Sequence, residues 1–169
     1  MTRAPDDPGA PRSRNEGSGA ADDLRTIRVE EFLPHPPDRV WRALTDPELL
    51  ARWFMPCDFR LEIGHAFTLT TTPRPNVAFG GVCHCRVLDF ETGRMLRYSW
   101  TDPGEDNALD STVTWRLEPE GTGTRLFLEH DGFDPDNPYQ AMSRRIMGGG
   151  NGWTAVVARL ATAVAAAAA

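Results

Sequence analysis

The chain contains no lysine, so all 18 of its basic residues are arginine. That excludes enzymes that work through a lysine Schiff base. Cysteine is scarce too. Cys57, Cys83 and Cys85 are odd in number and form no CxxC pair. A secreted disulfide framework is therefore not expected, and free thiols in a reducing compartment are. Long apolar runs are missing. Trp153 to Ala169 is short, mostly alanine and interrupted by Arg159, so no membrane span is expected. The first residues lack the apolar core of a secretory signal, which leaves a cytoplasmic location as the expectation. Excess positive charge is absent as well. The net charge is −6 and the isoelectric point is near 5.2, which disfavours nucleic acid as a partner. There is no nucleophile elbow and no Ser-His-Asp phrase. Gly148-Gly149-Gly150 lacks the Lys-Ser/Thr continuation of a phosphate-binding loop. The missing lysine and the run Ala165 to Ala169 are read as composition bias without a site.

What is present suits one domain with some excess. The 169 residues are 40% hydrophobic and 25% charged, enough to bury a core without disulfide or metal staples. Met1 to Asp23 is Pro, Gly, Ser, Ala and Asp with one large apolar side chain, Met1. Such a segment cannot offset its conformational entropy by burial, so residues 1–23 are expected to be a disordered tail. The tail carries three Arg against five Asp and Glu, which leaves the domain only mildly acidic. The domain is expected over residues 24–166, with 167–169 a frayed alanine end.

Periodicity supplies the element order. In TIRVEEFL (Thr26 to Leu33), Ile27, Val29, Glu31 and Leu33 share one face of a strand, and Glu31 is its one polar member. Pro36-Pro37-Asp38 then leads into Val40, Trp41 and Leu44 at helical spacing. Asp46-Pro47-Glu48 caps a second short helix that runs through Trp53 and stops at Pro56. Period two returns over Phe59, Leu61 and Ile63, which predicts a strand, and again over Phe67, Leu69 and Thr71. Further strands are predicted over Phe79–Leu88, Met95–Thr101, Ser111–Glu118 and Arg125–His130. They are joined by turns at Glu91-Thr92-Gly93 and Gly121-Thr122-Gly123. Short connections of this kind imply an antiparallel meander. Asn137-Pro138 starts the last helical segment. Met142, Ile146, Gly149, Trp153, Val157, Leu160 and Val164 form one stripe that stays in phase across the glycines, which predicts one long helix weakened in the middle. The expected fold is α+β: a curved antiparallel sheet of about six to seven strands around a long C-terminal helix, with two short helices after the first strand. Such an arrangement leaves room for an apolar cavity between sheet and helix.

Four phrases carry a family resemblance: PPDRVWRALTDPELLARWFMP (Pro36 to Pro56), GGVCHCRVLDFETGRMLRYSW (Gly80 to Trp100), VTWRLEPEGTGTRLFLEHDGF (Val113 to Phe133) and GGGNGWTAVVARL (Gly148 to Leu160). In this order they resemble the SRPBCC or START-like superfamily. Within it they are most similar to the family named for the activator of heat-shock protein 90 ATPase. The resemblance covers roughly Thr26 to Val164 and implies a helix-grip fold with a deep cavity. One departure is Gly64-His65-Ala66-Phe67, where the family often has a double glycine before the phenylalanine. The superfamily includes co-chaperone domains, lipid and hormone carriers and polyketide cyclases, so fold alone does not give function.

Cys83 and Cys85 are alternate strand residues and share a face opposite His84 and Arg86, which points them inward. They read as small apolar core residues. Metal or redox use is the alternative, and it needs further ligands that His35, His65 and His130 do not offer at any ligand spacing. No metal and no cofactor is expected. His130 ends the inward stripe Leu126, Leu128, His130, where it is either a structural hydrogen-bonder or a general base. Glu31 on an apolar face needs a partner, an arginine or His130. Tyr98 faces inward with Leu96 and Trp100, and its hydroxyl wants a partner when buried. His130, Glu31 and Tyr98 are thus the weak candidates for acid or base work. The cavity wall is expected to take Trp53 and Phe54 from the second helix and Phe67, Phe79, Cys83 and Cys85 from the middle strands. Tyr98, Trp100, Trp115, Leu128 and His130 come from the later strands, and Met142, Ile146 and Trp153 from the last helix.

Three functions follow, in order of preference. The first is binding of a small hydrophobic or aromatic molecule in the cavity. The second is a cyclase- or hydrolase-like enzyme using the same cavity, although no catalytic motif supports it. The third is a co-chaperone-like stress-response module with a chaperone as protein partner, which only the resemblance supports. A monomer or a homodimer is expected.

Overall fold

The computed structural model describes residues 24–167. The expected tail (1–23) and the last two alanines lie outside the described residues, while Ala167 is still helical.

Six strands form one antiparallel sheet: β1 (Thr26–Leu33), β2 (Ala66–Thr70), β3 (Val82–Glu91), β4 (Met95–Thr101), β5 (Asp110–Glu120) and β6 (Gly123–Asp131). Their order is β1-β6-β5-β4-β3-β2, so the meander β2 to β6 is closed at one side by the first strand. Two short helices follow β1, α1 (Pro37–Thr45) and α2 (Pro47–Trp53). Two more end the chain, α3 (Pro138–Met147) and α4 (Trp153–Ala167). This is the α+β helix-grip arrangement, a curved sheet with a C-terminal helix against it.

Local chemistry explains the boundaries. Asp46 caps α2 by accepting from the Glu48 N–H at 2.9 Å, with Pro47 in the first turn where no helix hydrogen bond is lost. Asn137 caps α3 by accepting from the N–H groups of Tyr139 and Gln140. Alternation sets the faces of the sheet. Leu96, Tyr98 and Trp100 of β4, Val113 and Trp115 of β5, and Leu126, Leu128 and His130 of β6 are all buried, as the period-two pattern requires. The opposite face is polar. Arg28 pairs with Glu129 at 3.3 Å and Arg125 with Glu120 at 2.8 Å, while Arg125 also lies over the Phe32 ring.

Four expectations are corrected. Phe59, Leu61 and Ile63 are not a strand. Phe59 is buried, but Ile63 is 57% exposed. Turn hydrogen bonds from Glu62 N to Arg60 O and from His65 N to Glu62 O consume the groups a ladder would need. Asp58 anchors the loop by accepting from Thr68 N. Secondly, the third strand starts at Val82 rather than Phe79. Phe79 closes a small loop with Arg74 by paired backbone bonds. Gly81 then turns the chain at φ +97°, where a Cβ would stand 2.8 Å from the Thr71 carbonyl oxygen. Thirdly, Glu31 is exposed although it shares the face of Ile27 and Leu33. It lies on an edge strand, where solvent reaches it and no buried partner is required.

The fourth correction concerns the C-terminal segment, which is two helices and not one. The Gly148 N–H caps α3 by donating to Arg144 O, and α4 begins at Trp153. At Gly152 a Cβ would strike the Met147 carbonyl. The buried stripe Trp153, Val157, Leu160, Val164 holds within α4, but Met142 on α3 is 38% exposed.

Trp153 sits at the centre of the interior. Its ring lies 5.5 Å from Trp100, 5.9 Å from Trp115, 6.2 Å from Phe54 and 5.7 Å from His130, centre to centre. Its indole N–H donates to His130 Nδ1 at 3.0 Å. An indole only donates, so Nδ1 carries no proton and Nε2 does. Nε2–H then donates to Ser111 Oγ at 2.8 Å, and Ser111 donates to Trp100 O at 2.7 Å. Every polar hydrogen in this buried chain is used, which is what an apolar interior demands.

Two outcomes are expected. If the α3–α4 break is obligatory, Gly152→Ala lowers the unfolding free energy by about 1–3 kcal/mol through overpacking, whereas Gly150→Ala, with open space around it, does not. Urea denaturation of both variants checks this, and equal gains in both would indicate one continuous helix. The second concerns acid. Burial lowers the His130 pKa from 6.5 to about 3. The unfolded chain takes up a proton there and the folded chain does not. This residue's contribution is therefore complete above pH ~7 and is lost as pH falls toward ~3, at about 1.4 kcal/mol per pH unit. Between pH 7 and pH 5 the wild type should lose about 2 kcal/mol more than His130→Phe. Parallel pH profiles for the two proteins would contradict the neutral buried imidazole.

Candidate functional site

The centre of the grip is filled. Beside Tyr98 only about 10 Å³ of empty space remains, walled by Trp53, Phe54, Phe67 and Trp115. That is at the lower limit for one water molecule. Phe67 stands edge-on to Tyr98 at 5.5 Å, and Trp53 edge-on to Trp115 at 6.1 Å. Four of the aromatics predicted to line a cavity are therefore core, together with Tyr98.

The usable space lies to one side, where α3 gives way to α4. A pocket of about 180 Å³ opens between the ends of β2, β3 and β4, the segment Arg74 to Phe79, the β4–β5 loop and the helix break. Its walls are mostly apolar. Leu69, Cys83 and Trp100 come from the sheet, Val77 and Phe79 from the segment before β3, and Ile146 and Met147 from α3. Leu109 and Met55 complete them. The polar members are few: Asn107, Asp102 and Ser143 inside, with Thr71, Arg74 and Asn151 also in the lining.

The walls are held in place by the backbone. The Asp102 N–H donates to Leu109 O at 2.8 Å, closing the β4–β5 loop, and Asp102 Oδ1 accepts from Gly104 N at 2.8 Å. Two non-glycine residues among the described ones adopt left-handed backbone angles, Ala78 (φ 53°) and Ala108 (φ 49°). Each sits between two pocket residues, Val77 and Phe79 in one case, Asn107 and Leu109 in the other. This conformation costs an alanine about 1–2 kcal/mol, so the surrounding bonds must enforce it.

The predicted site residues divide accordingly. Phe79, Cys83, Trp100 and Ile146 line the pocket. Trp53, Phe54, Phe67, Tyr98 and Trp115 surround the small void instead, and Trp153 and His130 form the saturated hydrogen-bonded chain. Leu128 is buried and Cys85 is buried, both away from the pocket. Met142 and Glu31 are exposed and not part of it. Residues unmarked by the sequence pattern are Asn107, Asp102, Val77, Leu109, Ser143 and Met147. For Asp102, Asn107 and Leu109 the signal available was the loop composition TDPGEDNALD between two clear strands, where pocket residues commonly sit.

Burial holds Cys83, Cys85, Tyr98 and His130 in their neutral forms. Burial pushes the Cys83 thiol up to about 12, with the Asp102 carboxylate adding to the shift. Burial raises Cys85 and Tyr98 as well. Tyr98 accepts from Trp115 Nε1–H at 3.0 Å. A protonated buried thiol is a poor nucleophile. Among the described residues no group of three or more His, Cys, Asp and Glu side chains is arranged to hold a metal ion. No helix among them is long and apolar enough to cross a membrane.

Comparisons with known proteins agree with this architecture. The crystal structure of protein MLL2253 from Mesorhizobium loti is 34% identical, with a TM-score of 0.71 over 83% of this chain and 96% of that one. DynU16, a putative protein in the dynemicin biosynthetic locus, is 25% identical with a TM-score of 0.65, over 82% of this chain and 46% of its own. CalU16 from Micromonospora echinospora is 29% identical with a TM-score of 0.61, over 82% of this chain and 75% of its own. A search of curated proteins found no match. The family model described as "Activator of Hsp90 ATPase homolog 1-like protein" matches residues 34–165. The chain therefore belongs to the activator of Hsp90 ATPase homolog 1-like family.

Proposed function

We propose that this protein binds a small apolar or aromatic molecule in the pocket beside the α3–α4 break. The observation that carries the reading is a mostly apolar space of about 180 Å³ at the helix break, while only about 10 Å³ is free beside Tyr98. An engineered apolar cavity of about 150 Å³ takes up benzene, so this one suits a single-ring ligand. The strained alanines on two of its walls support a built site, since such strain concentrates where function needs it. The likeness to DynU16, a putative protein in the dynemicin biosynthetic locus, supports a role toward small molecules.

A catalytic role finds less support. His130 has both ring nitrogens engaged away from the pocket, Tyr98 lies in the filled core, and Glu31 is at the sheet edge. The chaperone reading rests on the family name alone.

Titration with toluene, followed by backbone amide shifts, tests the proposal. Saturable shifts are expected at Val77, Leu109 and Ile146. Ile146→Trp, which fills the space from α3, should weaken binding by about tenfold or more, while Met142→Trp on the exposed face of the same helix should not. Toluene shifts centred on Tyr98 and Phe67, or none at all, would contradict it.

A further inference from the structure

One buried polar atom of a pocket-lining residue has no partner, and it bears on the chemistry of the ligand. Asn107 is 2% exposed. Its side-chain Nδ2 donates both hydrogens, to Val77 O at 2.7 Å and to Ser143 Oγ at 3.0 Å. Its backbone carbonyl accepts from Gln140 Nε2 at 2.7 Å and from Asn137 Nδ2 at 3.2 Å. The side-chain Oδ1 is left without any hydrogen-bond partner. Turning the amide over does not relieve this, because it would set Oδ1 against the Val77 carbonyl oxygen at the same 2.7 Å. The orientation is therefore fixed by its neighbours. An unmet buried carbonyl is costly, so its persistence in a stable wall asks for a donor that arrives from outside.

The surroundings narrow the donor further. The acidic member of the lining is Asp102, 8% exposed, with Oδ1 accepting from Gly104 N. Cys83 is held as a neutral thiol. Arg74 is exposed. The buried lining thus offers hydrogen-bond acceptors to a ligand, and a ligand carboxylate there would be set against the Asp102 carboxyl group. Resting on the pocket-binding reading above, we infer that the ligand is a neutral hydroxyl-bearing aromatic molecule whose O–H donates to Asn107 Oδ1. The recognition is the kind that separates a hydroxyl compound from its isostere, because a site with an unpaired polar atom loses more with the analogue that cannot fill it.

The test uses phenol, toluene and benzoate as probes on the full chain. Phenol and toluene have the same size and differ in one donor. Phenol should bind about tenfold tighter than toluene, although toluene is the more hydrophobic, and benzoate should bind more weakly than phenol. The Asn107 side-chain amide signals should shift with phenol and stay in place with toluene. Asn107→Leu should bring the phenol-to-toluene ratio to about one. If that variant does not fold, the wild-type ratio and the amide signals decide. Equal or tighter binding of toluene overturns the inference and leaves the pocket reading intact. Tighter binding of benzoate overturns it in favour of anion recognition at Arg74. Absence of binding by all three removes the pocket reading and this inference with it.

Discussion

The structure depends on one buried hydrogen-bonded chain, from the Trp153 indole through His130 and Ser111 to the Trp100 carbonyl. It joins the first residue of α4 to three neighbouring strands of the sheet. Each member has a single arrangement that uses all its polar hydrogens, so the chain fixes both the tautomer of His130 and the position of Trp153. Trp153 then packs among Trp100, Trp115 and Phe54. Arg159 adds a bond to the Trp53 carbonyl at the end of α2. The helix is held where it is by these contacts more than by its alanine-rich surface.

That placement decides where a ligand can go. With Trp153 in the middle of the interior, only about 10 Å³ remains free beside Tyr98, between the sheet and the segment from α1 to Phe59. The chain breaks just before Trp153, and the pocket opens beside that break. The same five residues, Gly148 to Gly152, that let α3 and α4 part therefore determine the position of the pocket. Its other walls are two short loops held at Ala78 and Ala108 in left-handed conformations. Filled core and lateral pocket are two consequences of one packing choice.

Much of this was legible in the sequence where side-chain period alone decides the outcome. The inward faces of β4, β5 and β6, the caps at Asp46 and Asn137, and the stripe Trp153, Val157, Leu160, Val164 are examples. Period fails where another force wins. Phe59, Leu61 and Ile63 alternate, yet turn hydrogen bonds around Asp58 and Glu62 hold that stretch. The stripe stays in phase from Ile146 to Trp153, but phase reports only a shared face and not an unbroken backbone. Glu31 has the parity of a buried residue and the solvent access of an edge strand. Of the pocket, Phe79, Cys83, Trp100 and Ile146 were readable as inward apolar positions. Asn107 was not, because its environment is made by Val77 and Ser143, 30 and 36 residues away in sequence.

The central claim is that a ligand enters at the helix break and not beside Tyr98, where only about 10 Å³ is free. Diffraction from crystals pressurised with xenon tests it most directly, because xenon occupies apolar voids without needing a specific ligand. Xenon density is expected between Trp100, Leu109 and Ile146, with none beside Tyr98. Density around Tyr98 and Trp115, or no density at the break, would contradict it.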